Sequence, residues 1–472
     1  MKRKEIIILL AVPVMLAGCI AFHSRPISPS ETASSFEART LDDPGLKKFI
    51  ESKLRHQVAP WPPKSWDITM LTLASFYYNA ELEVARAKWG VAKAGVITAG
   101  ARPNPSVSFI PQYASNSTGG ISPWVLNLSF DIPVETVGKR GYRIARAEHL
   151  SEAAHLHIAT VAWQVRGRLR RGLLDLYVAL QKETILRSRL ALQEEILKLL
   201  ERRLSYGEIS SPELLNARLD RDRIHLSLAD TGKQITGDRA AVAGALGLPL
   251  KTLSSFTISF DFLNKLPEGL PPEDIRRQAL LNRSDILSAL STYEAAQSEL
   301  QLEIAKQYPD IHLGPGYEFD QGENKWAFGF AISLPVLNRN EGPIAEAEAR
   351  RKEKSAQFDA LQARIIGQTE MLVAAYSDAI GRLKTAESLV SSQKEKERSA
   401  EAMFSSGETD RLAPLSTRIE LTSADLSRLS AFYYAQETLG LIEDEMERPL
   451  YPSGIVRTES ALNPNIEKEK QQ

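Results

Sequence analysis

Three histidines, His149, His155 and His157, cluster on what reads as one helix, and grouped imidazoles are a common beginning of a metal site. His155 and His157 stand two apart, so a helix would not bring them to one face. Solvated histidines are the simpler reading, and neither a metal site nor a cofactor is expected. There is no His-Glu-x-x-His, no glycine-rich phosphate loop and no Gly-x-Ser-x-Gly, so no enzyme is predicted. The charged runs EARRKEKS and KEKERSAE read as ordinary wet helix faces.

The remaining reactive side chain is the chain's one cysteine. Lys2, Arg3 and Lys4 form a basic start, Ile6 to Leu16 a short apolar run, and Leu16-Ala17-Gly18-Cys19 follows. An apolar run this short, followed by small residues, is a secretion signal and not a span. The Cys19 motif resembles the bacterial lipoprotein box. That resemblance implies cleavage before Cys19, a thioether-linked diacylglycerol on its sulfur and an acyl chain such as palmitate on its amine, together a stable anchor. Ile20 follows, not the Asp that holds such proteins at the inner membrane, so the outer membrane is favoured. With a single cysteine no disulfide can form within the chain. The 472 residues carry a net charge of −1 and concentrate Lys and Arg nowhere, so no nucleic-acid partner is expected. Beyond the signal no run of about 18 apolar residues occurs, which leaves no candidate transmembrane helix in the mature chain.

The elements that would position any site occur twice. ARPNPSVSF at 101–109 is echoed by KQYPDIHLG at 306–314, GYRIARAE at 141 by GPIAEAEA at 342, and RRLSYGEISSPELL at 202 by AMFSSGETDRLAPL at 402. The offset stays near two hundred residues, which reads as a tandem duplication of a helix, strand, strand, long helix, turn and helix. In the first hairpin Phe109 and Tyr113, then Trp124, Leu126, Leu128 and Phe130, alternate with Ser108, Gln112, Asn127 and Ser129. In the second, Ile311, Leu313 and Tyr317, then Trp326, Phe328 and Phe330, alternate with His312, Gly314, Ala327 and Gly329, in a strand predicted to end at Leu334. A period of two with aromatics near the ends fits a transmembrane barrel strand, and equally a half-buried soluble hairpin. Four strands cannot close a barrel, so the membrane reading demands copies, and three copies give about twelve strands.

No proline interrupts Arg140 to about Tyr206, and leucines recur at three- and four-residue steps from Leu169 to Leu204. A helix of this extent is on the order of 100 Å long, and the stretch from about Glu341 to Ser406 has similar reach. Gly207 and Gly407 read as stops. Ser211 reads as the N-cap of the next helix, with Pro212 at its first position. The stretch before Trp66 and the tail after Pro449 read as flexible tethers.

With these patterns in place the chain resembles the TolC-like outer membrane efflux proteins, in their lipoprotein branch, from about Trp66 to Glu447. The resemblance rests on the duplicated strand-pair-to-helix passages, "SFDIPVETVGKRGYRIARAE" and "SLPVLNRNEGPIAEAEARR", and on the paired glycine turns. It implies a mostly α protomer with a small transmembrane β part, and a homotrimer forming a twelve-stranded β-barrel above a long α-helical barrel. It also implies partnership with outer-membrane lipid, a periplasmic adaptor (membrane fusion) protein and an inner-membrane pump, in a passive efflux channel that extends into the periplasm. The twelve alternating apolar residues named above would then face lipid. Leu204, Tyr206, Gly207, Ser210 and Leu214 in one half, and Phe404, Gly407, Thr409 and Leu412 in the other, would form the periplasmic entrance and dock the adaptor. Some members carry carboxylate rings where this chain has Ala413 and Ser416, which puts that gate in doubt; Glu408, Asp410 and Glu420 read as solvated helix-end residues. The expected divisions are a signal peptide at 1–18, a lipidated extension at 19–65, repeats at 66–255 and 256–448, and a flexible tail at 449–472. The duct of a type I protein secretion system and a lipid-anchored coiled-coil adaptor are the alternatives. The adaptor would need a lipoyl-like or small β-barrel module that the sequence does not offer.

Overall fold

The structure is a computed structural model and describes residues 22–116 and 119–450; the expected signal peptide, the expected lipidation site Cys19, and the tail from 451 lie outside the described residues. The chain divides into two units, up to Thr40 and from Leu41 onward. In the first unit helix α1 (Pro29–Glu37) begins with Pro29 at its first position behind the Ser28 cap, and buries none of its residues.

The second unit opens with α2 (Pro44–Leu54), β1 (Ser65–Trp66), α3 (Ile68–Tyr78) and α4 (Ala80–Gly100). It continues through β2 (Ser106–Tyr113), β3 (Trp124–Val134), α5 (Lys139–Ser205) and α6 (Ser211–Leu246). After the short β4 (Thr257–Ile258), α7 (Pro272–Asn282), α8 (Ser284–Ala305), β5 (Ile311–Asp320), β6 (Glu323–Ile332), α9 (Glu341–Ser405) and α10 (Leu412–Met446) repeat the order. The duplication is exact in kind and close in length. The two long helices have 67 and 65 residues and their return helices 36 and 35.

Long helices persist here because a narrow seam packs while both flanks stay wet. Leu169, Leu173, Leu176, Leu186 and Leu197 of α5 are buried, and the other seam leucines from Leu180 to Leu204 are partly so. The larger core lies where α3, α5 and α6 meet; Trp66, Leu71, Leu73, Leu173 and Leu246 are buried there. A second core joins α7, α9 and α10 through Ile275, Tyr376, Ile380 and Leu439.

Three expectations need correction. The stretch from Leu41 to Trp66 is not a loose tether: Leu46 and Ile50 of α2 are fully buried, and β1 pairs in parallel with β4. Its apolar residues are too few to advertise a core in sequence, yet they complete one supplied by α3 and α5. Strand β6 ends at Ile332, not Leu334, because among the described residues the chain past Ile332 has no neighbour strand to pair with. The N-cap of α6 is Ser210, not Ser211, and its hydroxyl lies 3.1 Å from the Glu213 carboxylate instead of holding a helix amide.

The two halves are joined by a buried charge network between α5 and α10. Arg170 donates to the Gln436 carbonyl at 2.8 Å and to its side-chain oxygen at 3.0 Å. Arg166 and Arg170 both reach Glu443, at 2.9 and 3.4 Å. Glycines make room: a Cβ at Gly440 would collide with Arg170, and one at Gly167 with Asp444. Burial pushes the Asp444 carboxyl up to about 6, against the pull of Arg166 and Arg170 and with the push of Glu443. Asp444 therefore takes up a proton on folding between its unfolded value near 4 and about 6. Its favourable contribution is full below about pH 4 and is lost as pH rises through about 6. Asp444→Asn should flatten that fall, which is on the order of 2–3 kcal/mol for a shift of about two units. Thermal unfolding in detergent at pH 4.5 and 7.5 measures it, and an unchanged gap between the two would contradict the assignment.

Candidate functional site: an apolar sheet face and two helical tips

The four long strands form one sheet in the order β2-β3-β5-β6, antiparallel throughout. In each hairpin the strands alternate, so paired residues share a face. Phe109 pairs with Leu128 and Tyr113 with Trp124 in the first hairpin; Leu313 pairs with Phe330 and Tyr317 with Trp326 in the second. Between hairpins Leu128 faces Tyr317, and Leu126 faces Phe319. The register thus gathers Phe109, Tyr113, Trp124, Leu126, Leu128, Phe130, Ile311, Leu313, Tyr317, Trp326, Phe328 and Phe330 onto one face. That face is open: Trp326 is 82 % exposed and Phe328 78 %. A contiguous apolar surface of this kind marks a lipid or protein contact and not a water-facing wall.

Aromatic pairs close the same end of both hairpins. The Tyr113 and Trp124 rings lie 5.1 Å apart and those of Tyr317 and Trp326 4.9 Å apart. The second hairpin turns in two residues, Gln321 and Gly322, both at positive φ, as tight hairpins require. The opposite face carries Ser106, Gln112, Asn127, Asp131, His312, Glu318, Asp320, Glu323 and Lys325, with Gly314, Gly316 and Gly329 between them. His312 and Asp131 meet there at 2.8 Å.

Where the sheet hands over to the helices, Lys139 at the start of α5 contacts Asp310 at 2.7 Å. The Thr136 amide donates to the same carboxylate at 3.0 Å, and its hydroxyl to the Pro309 carbonyl at 2.8 Å. Arg140 and Arg143 donate to the Gly100 and Ala99 carbonyls that end α4. The α5 start, the α4 end and the β5 start are therefore locked as one joint.

At the other end of the long helices both turns are built alike. The Glu208 amide donates to the Arg203 carbonyl and the Gly207 amide to that of Leu204; Glu408 and Gly407 repeat this onto Met403 and Phe404. Gly207 and Gly407 take φ of +75° and +78°, which this helix stop demands and other residues resist. Tyr206 projects, 80 % exposed, and Gly207 and Ser210 are open beside it. Leu214 is only 6 % exposed, packed with Leu197 and Ala217, so it supports the tip from within. Leu204, Phe404, Thr409 and Leu412 are half-buried, and the Arg411 guanidinium lies 5.4 Å over the Phe404 ring.

Ion pairs draw the two tips together, and sequence reasoning missed them. Arg203 contacts Asp410 at 2.6 Å, and Arg411 contacts Glu195 at 3.1 Å, each joining the first half to the second. Asp410 is thus no merely solvated helix end: it also accepts the Leu412 amide at 2.9 Å. Its carboxyl is held below the usual range by the Arg203 hydrogen bond first, against the cost of burial, with help from the helix-start amides of Leu412 and Ala413. Glu420 likewise pairs with Lys396 at 2.5 Å. Only spatial neighbourhood reveals these partners, since they lie some two hundred residues apart or on different helices. The histidine group does not converge: His149 contacts Glu294 at 3.1 Å, while His155 lies near Glu152 at 3.7 Å and against the Trp89 ring.

The profile of the family described as outer membrane efflux protein matches residues 78–248 and 275–439, one match in each repeat. The cobalt-zinc-cadmium resistance protein CzcC of Cupriavidus metallidurans is 24% identical over 306 residues, which is 64% of this chain and 71% of that protein. Among solved structures, a membrane protein from Pseudomonas aeruginosa aligns with a TM-score of 0.66 at 17% identity, covering 90% of this chain and 99% of that one. The open state of the Neisseria gonorrhoeae MtrE outer membrane channel aligns with a TM-score of 0.64 at 16% identity, covering 81% and 89%.

Proposed function

Since this chain belongs to the outer membrane efflux protein family, we propose that three copies close a twelve-stranded barrel in the outer membrane and a helical duct below it. The observation that carries the reading is the open four-stranded sheet, apolar across one face, rising directly from helices of 67 and 65 residues. An open sheet cannot sit in hydrocarbon with its edges unpaired, and closure by copies satisfies them. The apolar face then meets lipid, and the polar face lines the passage. The duct is passive: an inner-membrane pump supplies the energy, and a periplasmic adaptor joins pump to channel.

Docking of that adaptor falls to the helical tips, where Tyr206, Gly207 and Ser210 are open to a partner. A photo-reactive residue at position 206 should cross-link the adaptor, whereas one at buried position 214 should give at least tenfold less. Equal yields would remove the tips from the contact. For cargo, divalent transition cations are the class favoured by similarity to CzcC. The polar face supports this, since Asp131, Glu318, Asp320 and Glu323 outnumber Lys325 and attract cations into the passage. Deleting the gene should raise sensitivity to cobalt, zinc and cadmium; sensitivity confined to organic dyes would point to drugs instead.

A further inference from the structure

The two hairpins share one register. Val107 pairs with Phe130, Phe109 with Leu128, Pro111 with Leu126 and Tyr113 with Trp124; their counterparts Ile311 with Ile332, Leu313 with Phe330, Pro315 with Phe328 and Tyr317 with Trp326 pair identically. This fixes the equivalence of the strands: WVLNLSFDIPV at 124–134 answers WAFGFAISLPV at 326–336. Yet β3 keeps its whole length, to Val134, while β6 stops at Ile332. The difference lies in the neighbour. Ile132 and Val134 are held by Leu313 and Ile311 of β5, whereas among the described residues no strand pairs with the equivalent edge of β6. Leu334 and Val336 are consequently left 75 % exposed each.

Span points the same way. From Trp326 to Ile332 the apolar row covers about 20 Å of strand, or about 15 Å along the membrane normal at a tilt of about 40°. The apolar band of a membrane barrel is about 25 Å tall. Carrying the row on through Leu334 to Val336 gives about 33 Å of strand and about 25 Å of height. The row from Trp124 to Val134 in β3 has that same length.

We infer that residues 333–336 complete β6 only in the assembly, by pairing with β2 of the next copy in a register that sets Leu334 opposite Phe109 and Val336 opposite Val107. The inference rests on the proposed barrel and deepens it, because the register follows from carrying the β3–β5 pairing onto β6 and β2. The β3–β5 ladder is interrupted between Ser129–Gly316 and Ile132–Leu313, where Pro315 has no amide proton to give. The equivalent Pro111 then falls opposite Ile332, where β6 loses its own order. Phe330 falls opposite Tyr113, which extends the aromatic row around the barrel.

Cysteine pairs in the full lipidated chain test this register. In outer-membrane fractions, mild oxidation of Phe109→Cys/Leu334→Cys, and separately of Val107→Cys/Val336→Cys, should give covalent dimers and trimers. The shifted pairs Val107→Cys/Leu334→Cys and Pro111→Cys/Leu334→Cys should give at least fivefold less. An intact detergent-extracted oligomer in which a shifted pair dominates, or in which neither in-register pair links, overturns the register while leaving the barrel standing. A chain that forms no oligomer at all, with native residues at these positions, overturns the barrel as well.

Discussion

Arginine placed at the centre of the apolar face, as Leu128→Arg or Phe328→Arg, should abolish assembly in the outer membrane. Each such charge costs about 2–4 kcal/mol near the bilayer midplane. Three copies present it three times, roughly 6–12 kcal/mol, which rivals the total stability of a typical fold. The control lies one residue away. Ser129→Arg and Ala327→Arg put the same charge on the polar face of the same strands, where Asp131 and Glu318 already stand in the pairing. Those variants should reach the outer membrane in near-normal amount. Membrane fractionation reads the result, and equal loss on both faces would mean that the apolar face does not meet lipid.

The second large effect belongs to the network between the halves. Glu443→Ala removes the carboxylate that Arg166 and Arg170 contact in a buried site, and removing one partner of such a group costs about 3–5 kcal/mol. Arg170→Ala should cost a similar amount, because both Gln436 oxygens lose their donor and Glu443 loses one of its two arginines. Thermal unfolding of the detergent-solubilised protein checks both. The double variant should lose much less than the sum, since the two residues act on one site. Additive losses would show that each stabilises the protein separately.

Much of the architecture is written locally. The period-two strands, the proline-free leucine seams and the glycine stops at 207 and 407 depend on residues within one or two turns of each other, so sequence exposes them. The family resemblance adds the meaning of those parts. What sequence did not expose depends on contacts across the duplication. Arg166, Arg170 and Glu443 look like members of wet helix faces until α5 and α10 are laid together. Arg203 and Asp410 likewise meet only once both hairpins are folded. Residues 41–66 looked like tether because α2 offers few apolar residues, and its burial is decided by the partner surface of α3 and α5. The β6 boundary was misjudged for a related reason: Leu334 has the right residue type for a strand, but a strand also needs a neighbour.

The central account is a barrel completed by copies of the chain, and mass measured in detergent tests it most directly. A chain exported with a plain cleavable leader and with Cys19→Ser lacks the lipidation site expected from the sequence but keeps its sheet. It should still fractionate with the outer membrane, require detergent for extraction, and show the mass of three copies by native mass spectrometry. A monomer that stays soluble without detergent would contradict the account.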